Sequence, residues 1–301
     1  MPKLLLLVLF LSFTSIVSAQ QEPQFTQYMY NTMSVNPAYA GQRQALSILA
    51  LHREQWVGVD GAPKTQTLAI HSPTRKENVG LGLSIVNDEA GPLTETYVDA
   101  NYSYSVRLGH DLKLALGLKG GFHSFRADWS KGDYLSPDVT FDENISQLSP
   151  TFGIGAYLNA SNWYLGLSSS NMLETKHYSD IQLAEAKNKI HLYLIAGYVV
   201  ELSPQFKLKP AALLKAVSGS PLIADFSLNT MLFERLVVGA AWRWDDSFAT
   251  LAGFQINQNF YVGYSYDVTS TSLNNYEHGS HEILLRYEMI WPKKLISPRF
   301  F

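Results

Sequence analysis

No cysteine occurs in the 301 residues, which excludes disulfides, thiolate metal sites, cysteine nucleophiles and iron–sulfur clusters together. Charge is scarce too: 16% of positions are Asp, Glu, Lys or Arg, against about 25% in a usual soluble domain. The formal net charge of −3 holds no basic excess, so no nucleic-acid partner is expected. Long apolar runs are missing beyond the N-terminus. The longest, Leu236 to Trp242, has seven residues with a Gly and two Ala among them, far short of the roughly 20 that a spanning helix needs. What is plentiful is apolar and aromatic: 46% of positions are hydrophobic, including 6 Trp, 17 Tyr and 15 Phe. Such a chain is not disordered and must hide its apolar surface in a core or against lipid.

The first nineteen residues place Lys3 before an apolar run from Leu4 to Phe13 and end in Val17-Ser18-Ala19. This order of charge, apolar stretch and small residues predicts a Sec signal peptide over 1–19, cut after Ala19.

Beyond it, apolar residues recur with a period of two. Val79, Leu81, Leu83 and Ile85 alternate with Gly80, Gly82 and Ser84; Val98, Ala100, Tyr102 and Tyr104 with Asp99, Asn101, Ser103 and Ser105; Leu112, Leu114, Leu116 and Leu118 with Lys113, Ala115, Gly117 and Lys119. Later segments do the same, as in Phe152 to Asn159, Phe260 to Asp267 and Glu282 to Trp291. Period two is the spacing of a strand whose faces meet different surroundings. Fourteen such segments begin near residues 45, 64, 78, 94, 111, 150, 162, 189, 206, 221, 235, 248, 259 and 281. The links between them sort by length. Glu54 to Pro63, Asp88 to Leu93, Ala127 to Ser149, Met172 to Asn188 and Thr269 to Ser280 are long and odd-numbered, whereas the even-numbered links are brief.

An even strand number with long links at one end predicts an all-β transmembrane barrel, antiparallel and up-and-down, of about fourteen strands over 45–291. Its apolar face meets outer-membrane lipid. A segment at 20–44 and a tail at 292–301 are expected on the periplasmic side, with the long links outside. Trp56, Trp129, Trp163, Trp242, Trp244 and Trp291 lie near strand ends, as interfacial girdles require, although Trp56 and Trp129 fit equally well under loops. The inward faces carry both signs: Lys113, Lys119, Lys207, Lys209, Lys215, Arg243 and Arg286 with Asp99, Asp225, Asp245, Asp267, Glu282 and Glu288. These charges suit either a wet pore or a plugged lumen.

No catalytic arrangement stands out. Gly-Xaa-Ser-Xaa-Gly, His-Glu-Xaa-Xaa-His and phosphate-loop patterns are missing, and Gly80-Leu81-Gly82 sits inside a strand, where small inward residues in a crowded barrel explain it. His177, His191, His278 and His281 lack ligand spacing, so no metal or other cofactor is expected. The acidic pairs Asp88-Glu89, Asp142-Glu143 and Asp245-Asp246 read as loop residues facing solvent or a partner, with calcium as the lesser reading.

Residues Gln24 to Gly41 read QFTQYMYNTMSVNPAYAG, followed by Arg53-Glu54-Gln55-Trp56, by Gly61-Ala62-Pro63-Lys64-Thr65, by Gly80-Leu81-Gly82 with Asp88 and Gly91, and finally by Pro298-Arg299-Phe300-Phe301. These blocks resemble those of the PorP/SprF family of Bacteroidetes outer-membrane proteins, with Ser297 where that family often has Cys. The resemblance implies a non-enzymatic outer-membrane component of the type IX secretion system. Its partners would be other secretion components and a large secreted or surface adhesin with a type B C-terminal domain, in gliding relatives a motility adhesin. It leaves open a cargo-specific role or a core role linked to the periplasmic ring, and a passive porin is the alternative outside the secretion system.

Within that reading the 20–44 segment is too aromatic and too poor in charge to float in water. It is expected to pack into the periplasmic mouth, to bind a secretion partner, or to close the lumen. The candidate partner-binding residues are Gln27, Tyr28, Tyr30, Asn31, Asn36, Pro37, Tyr39 and Gly41, then Arg53 and Trp56 in the first hairpin. Tyr134, Phe141 and Tyr178 in the long loops are the candidates for holding cargo, and the terminal Phe301 reads as an assembly signal.

Overall fold

The computed structural model describes residues 23–131, 144–173, 190–218 and 220–289. Strands β1 (Leu46–Glu54), β2 (Lys64–Pro73), β3 (Val79–Ala90), β4 (Leu93–Arg107), β5 (Lys113–Ala127), β6 (Ile145–Asn159) and β7 (Trp163–Ser169) follow one another as antiparallel neighbours. Next come β8 (His191–Tyr198) and β9 (Val200–Ser203), two parts of one strand interrupted at Val199, since both pair with β10 (Phe206–Val217). The remaining strands are β11 (Ile223–Leu232), β12 (Leu236–Arg243), β13 (Ser247–Gln255), β14 (Phe260–Thr269) and β15 (Ser280–Met289). Counting β8 and β9 as one gives fourteen. The ring closes because β1 pairs with β15, from Leu46 opposite Met289 to Glu54 opposite His281. Every strand thus has a neighbour on each side, which is how a β-structure satisfies its backbone in lipid, and β6 extends past the end of its ladder with β7 over 145–153.

Most strands turn an apolar row outward, as the alternation predicts, although β1 also buries Leu49 and Leu51 against the interior. Along β4, Val98, Ala100, Tyr102 and Tyr104 are exposed, while Asp99, Asn101 and Ser103 are buried. Along β15, Ile283, Leu285 and Met289 face out and Glu282, Leu284, Arg286 and Glu288 face in. This is the inverse of a soluble barrel, and it is stable only with hydrocarbon around it.

The links sort by end. One end carries 55–63, 128–144, 170–190, 218–222, 244–246 and 270–279, and the other carries 74–78, 108–112, 160–162, 204–205, 233–235 and 256–259. Three expectations change. The long link at Asp88 to Leu93 shrinks to Gly91-Pro92, because β3 and β4 stay paired up to Ala90 opposite Leu93 and Gly91, at φ 56°, turns the chain. Strand β6 starts at Ile145 and not near 150: Leu148 and Pro150 continue the outward row. Pro150 hides this from sequence, since proline argues against a strand interior, but the β6–β7 ladder begins only at Ile154. Asp245 is no lumen residue: it sits exposed in the 244–246 turn, at φ 59°.

Candidate functional site: a plugged lumen and its loop-side mouth

The described part of the N-terminal segment, from Pro23 on, neither caps the barrel from below nor hangs outside it. It fills the lumen from end to end. Pro23 and Gln24 lie at the long-loop mouth, and the chain then descends to Gln44 and enters β1 at the short-turn end. The two ends of the described chain are therefore at opposite ends of the barrel, and the described part of the 20–44 segment lies within the lumen rather than outside the barrel, which is the lumen-closing arrangement among those expected. The physical reason is its composition. Phe25, Tyr28, Met29, Tyr30, Met33, Val35, Ala38 and Ala40 are apolar, and inside the barrel every one of them is buried.

Secondary structure within the plug is minimal: one helical turn, Thr32–Val35, and a 3-10 turn, Pro37–Tyr39. Asn36 caps the second by accepting from Ala38 N at 3.0 Å, and its Nδ2 donates to the carbonyl of Ala156 in the wall at 3.0 Å. Pro37 fits the first position of that turn, where no backbone donor is needed. Wall glycines make room for this backbone. A Cβ on Gly117 would stand 2.1 Å from the nitrogen of Ala38, and one on Gly80 would stand 2.1 Å from the oxygen of Ala40. Of the two glycines read from sequence as relief in a crowded lumen, Gly80 faces the plug main chain and Gly82 the Met33 side chain.

Buried charges hold both ends. At the loop side, Glu282 accepts the backbone N–H groups of Thr26 and Gln27, each at 2.9 Å. Arg53 donates from Nη1 to Thr26 Oγ1 at 2.9 Å and to Glu282 at 3.2 Å, and from Nη2 to Asp267 at 2.7 Å. Thr26 Oγ1 in turn donates to Asp267 Oδ2 at 2.5 Å. At the short-turn side Arg43 pairs with Glu288, whose carboxylate also lies 3.5 Å from Arg286 Nε as an ion pair. There Gly41 N donates to His71 Nδ1 at 3.1 Å, and Ser103 Oγ donates to the Ala40 carbonyl at 2.6 Å. Between the two latches an aromatic and cationic layer packs. Lys209 lies 5.4 Å from the Tyr30 ring centre and 5.6 Å from that of Tyr164, and Arg286 lies 4.6 Å from that of Tyr261. Such contacts keep desolvated cations tolerable inside a barrel.

The candidate residues divide sharply. Gln27, Tyr28, Tyr30, Asn31, Asn36, Pro37 and Gly41 are buried within the lumen: Tyr28 reaches Ser227 Oγ of the wall at 3.3 Å, Tyr30 packs on Tyr261 at 5.3 Å between ring centres, and Asn31 is held by the plug's own Gln27, Tyr28 and Ser34. Tyr39 is partly buried, edge-on to His71 and Tyr157. Arg53 is the loop-side latch. Trp56 is half-buried in the 55–63 loop, so it belongs under a loop and not to a girdle. Tyr134, Phe141, Tyr178, Trp291 and Phe301 lie outside the described residues, as do His177 and Asp142-Glu143. Of the remaining histidines, His281 Nδ1 meets Tyr264 OH at 2.7 Å, and among the described residues no group of three metal-ligating side chains forms. Outer-face aromatics do gather at the loop end, where Trp242 stacks with Phe226, Trp244 and Phe248 at centroid distances of 6.0, 5.8 and 6.3 Å.

Sequence reasoning missed Thr26, Arg43 and His71. Arg43 had a signal: it is the sole basic residue between Lys3 and Arg53, in a segment otherwise fit for burial. Above the plug, the loop-side mouth opens into a cavity of about 680 Å³ floored by Pro23 and Gln24.

Among solved structures the chain is similar to the Acinetobacter baumannii outer membrane protein Omp33 (7% identity, TM-score 0.48, covering 82% of this chain and 99% of that one). It is also similar to a Pseudomonas aeruginosa FadL homologue (10%, 0.46, 81% and 89%) and to the KdgM porin (10%, 0.40, 81% and 99%). No curated protein matches. The model of the type IX secretion system membrane protein PorP/SprF family matches residues 17–287, nearly the whole chain and including the plug. With its lipid-facing barrel, this chain belongs to the PorP/SprF family of type IX secretion system membrane proteins of the outer membrane.

Proposed function

We propose that the protein is a closed docking barrel of the secretion system, which supports export and surface attachment of a cargo such as a large adhesin with a type B C-terminal domain. The observation that carries this reading is the filled lumen. A barrel whose interior is taken by its own N-terminal segment, latched by Arg53 at one mouth and Arg43 at the other, is built to offer surfaces and not to pass solutes. That favours the secretion reading over a passive porin. In this proposal the long links face outward and the short turns and the tail at 292–301 face the periplasm, so Pro23 stands at the outer mouth. The signal peptide is cut after Ala19, and Phe301 serves barrel assembly.

The long loops, with Tyr134, Phe141 and Tyr178, and the rim residue Trp56 contact cargo. The plug residues Gln27 to Gly41 act indirectly, by shaping the outer mouth. Deleting the gene and comparing the surface proteome tests this. Loss of one large adhesin, or of all exported cargo, supports a cargo-specific or a core role respectively, and an unchanged surface proteome refutes both.

A further inference from the structure

The loop-side cavity meets the plug at Pro23 and Gln24 and at the latch residues Arg53 and Asp267, but the rest of its lining takes no part in holding the plug. At about 680 Å³ it falls in the size range of ligand sites, roughly 300–1,000 Å³, and it opens outward between the β1–β4 wall and the β11–β15 wall. Its lining carries the carboxylates of Asp88, Glu95, Asp245, Asp246 and Asp267 against the guanidinium groups of Arg53 and Arg243. Both cations are already engaged: Arg53 with Asp267 and Glu282, and Arg243 with Asp225 at 2.7 Å and Asp246 at 3.1 Å. Acceptor capacity therefore remains on separate walls. Asp88 meets only the Thr65 hydroxyl and Asp245 stands exposed in its turn, whereas Asp267 is taken up by Arg53 and Thr26. Trp56 adds an aromatic face to the same lining, and Trp244, stacked on Trp242, borders its rim.

We infer that this cavity binds an extended cationic peptide segment, bearing two or three Arg or Lys side chains, of a protein held at the cell surface. Separated carboxylates and indole faces are what such side chains recognise, through charge-assisted hydrogen bonds and cation–π contacts. A single metal ion fits worse, because among the described residues no three metal-ligating side chains converge. An acidic or phosphorylated segment is repelled. The open mouth lets the segment enter while attached to a bulky body, so the inference rests on the docking reading and names the chemistry of the docked partner.

The test uses the full-length protein in detergent micelles, titrated by calorimetry with a capped peptide of three arginines alternating with glycine, and with its glutamate counterpart. Saturable binding of the arginine peptide is expected, weakened by salt, at least tenfold weaker in the Asp88→Asn/Asp245→Asn variant, and with no response to the glutamate peptide. Heat-modifiable migration on gels verifies that the variant barrel is folded. Equal binding by the variant, equal binding of both peptides, no binding at all, or complete displacement by calcium alone overturns the inference. A second arm separates the two readings. If the gene deletion loses surface cargo but the double variant displays it normally, the cationic site falls and the docking role stands. Peptide binding together with an unchanged surface proteome in the deletion strain leaves the site and removes the role.

Discussion

Replacing Glu282 by alanine should loosen the plug far more than the size of the change suggests. The carboxylate is fully buried and accepts two plug N–H groups and one Arg53 N–H. Removing one partner of a buried ion pair costs about 3–5 kcal/mol. Arg53 keeps Asp267, which softens the loss on the wall side, but Thr26 and Gln27 are left with two main-chain donors aimed at nothing. A hydrogen bond to a charged group contributes about 1.5–3 kcal/mol, so the docked plug should lose ~3 kcal/mol or more. At 1.36 kcal/mol per tenfold, the undocked population then rises by about a hundredfold or more. The absence of native cysteine makes this measurable with one introduced thiol. Thr32 is 2% exposed inside the lumen, and the smaller cysteine side chain fits its place. Thr32→Cys alone should react slowly with a water-soluble maleimide, the Glu282→Ala double variant about a hundredfold faster, and Glu282→Gln in between, because one carbonyl oxygen remains. Equal rates with and without Glu282, or a thiol that reacts at the denatured-state rate in the single variant, would refute the latch.

Three further outcomes follow from the same geometry. Gly117→Val should expel the plug near Ala38 and expose the Thr32→Cys thiol, whereas Gly120→Ala, with nothing within 4 Å of its added Cβ, should leave labelling unchanged. Arg43→Ala should free the short-turn end, leaving Glu288 to Arg286 alone, and hydrogen exchange should rise at residues 38–44 while those near Thr26 stay protected. On the outer face, Leu118→Arg near the middle of β5 should cost about 2–4 kcal/mol in a lipid-vesicle refolding equilibrium, and Trp244→Arg in the loop-end turn about 1 kcal/mol or less; equal costs would contradict this placement of the membrane.

The barrel was legible because lipid imposes an outward apolar row that most strands show separately. Val98 to Tyr104 shows it, and so does Ile283 to Met289, without reference to any neighbour. Boundaries failed where a local signal opposed the long-range ladder: Pro150 argues against a strand that β5 nonetheless holds, and Asp88-Glu89 looks like loop although the β3–β4 pairing carries it to the turn. The plug was half legible. Its composition excludes a free segment, but nothing local tells whether Tyr28 meets a partner or Ser227, 199 positions away. Inward charges such as Glu282 and Glu288 were visible one by one, but their meaning depends on Thr26 and Arg43, whose places only the closed ring determines.

Residues 23–44 shut the native lumen. Conductance in planar bilayers tests it most directly, with the wild type compared against a chain lacking residues 24–41. The wild type should be silent and the deletion should open a steady pore. Steady conductance from the wild type, or silence from a folded deletion variant, would contradict the account.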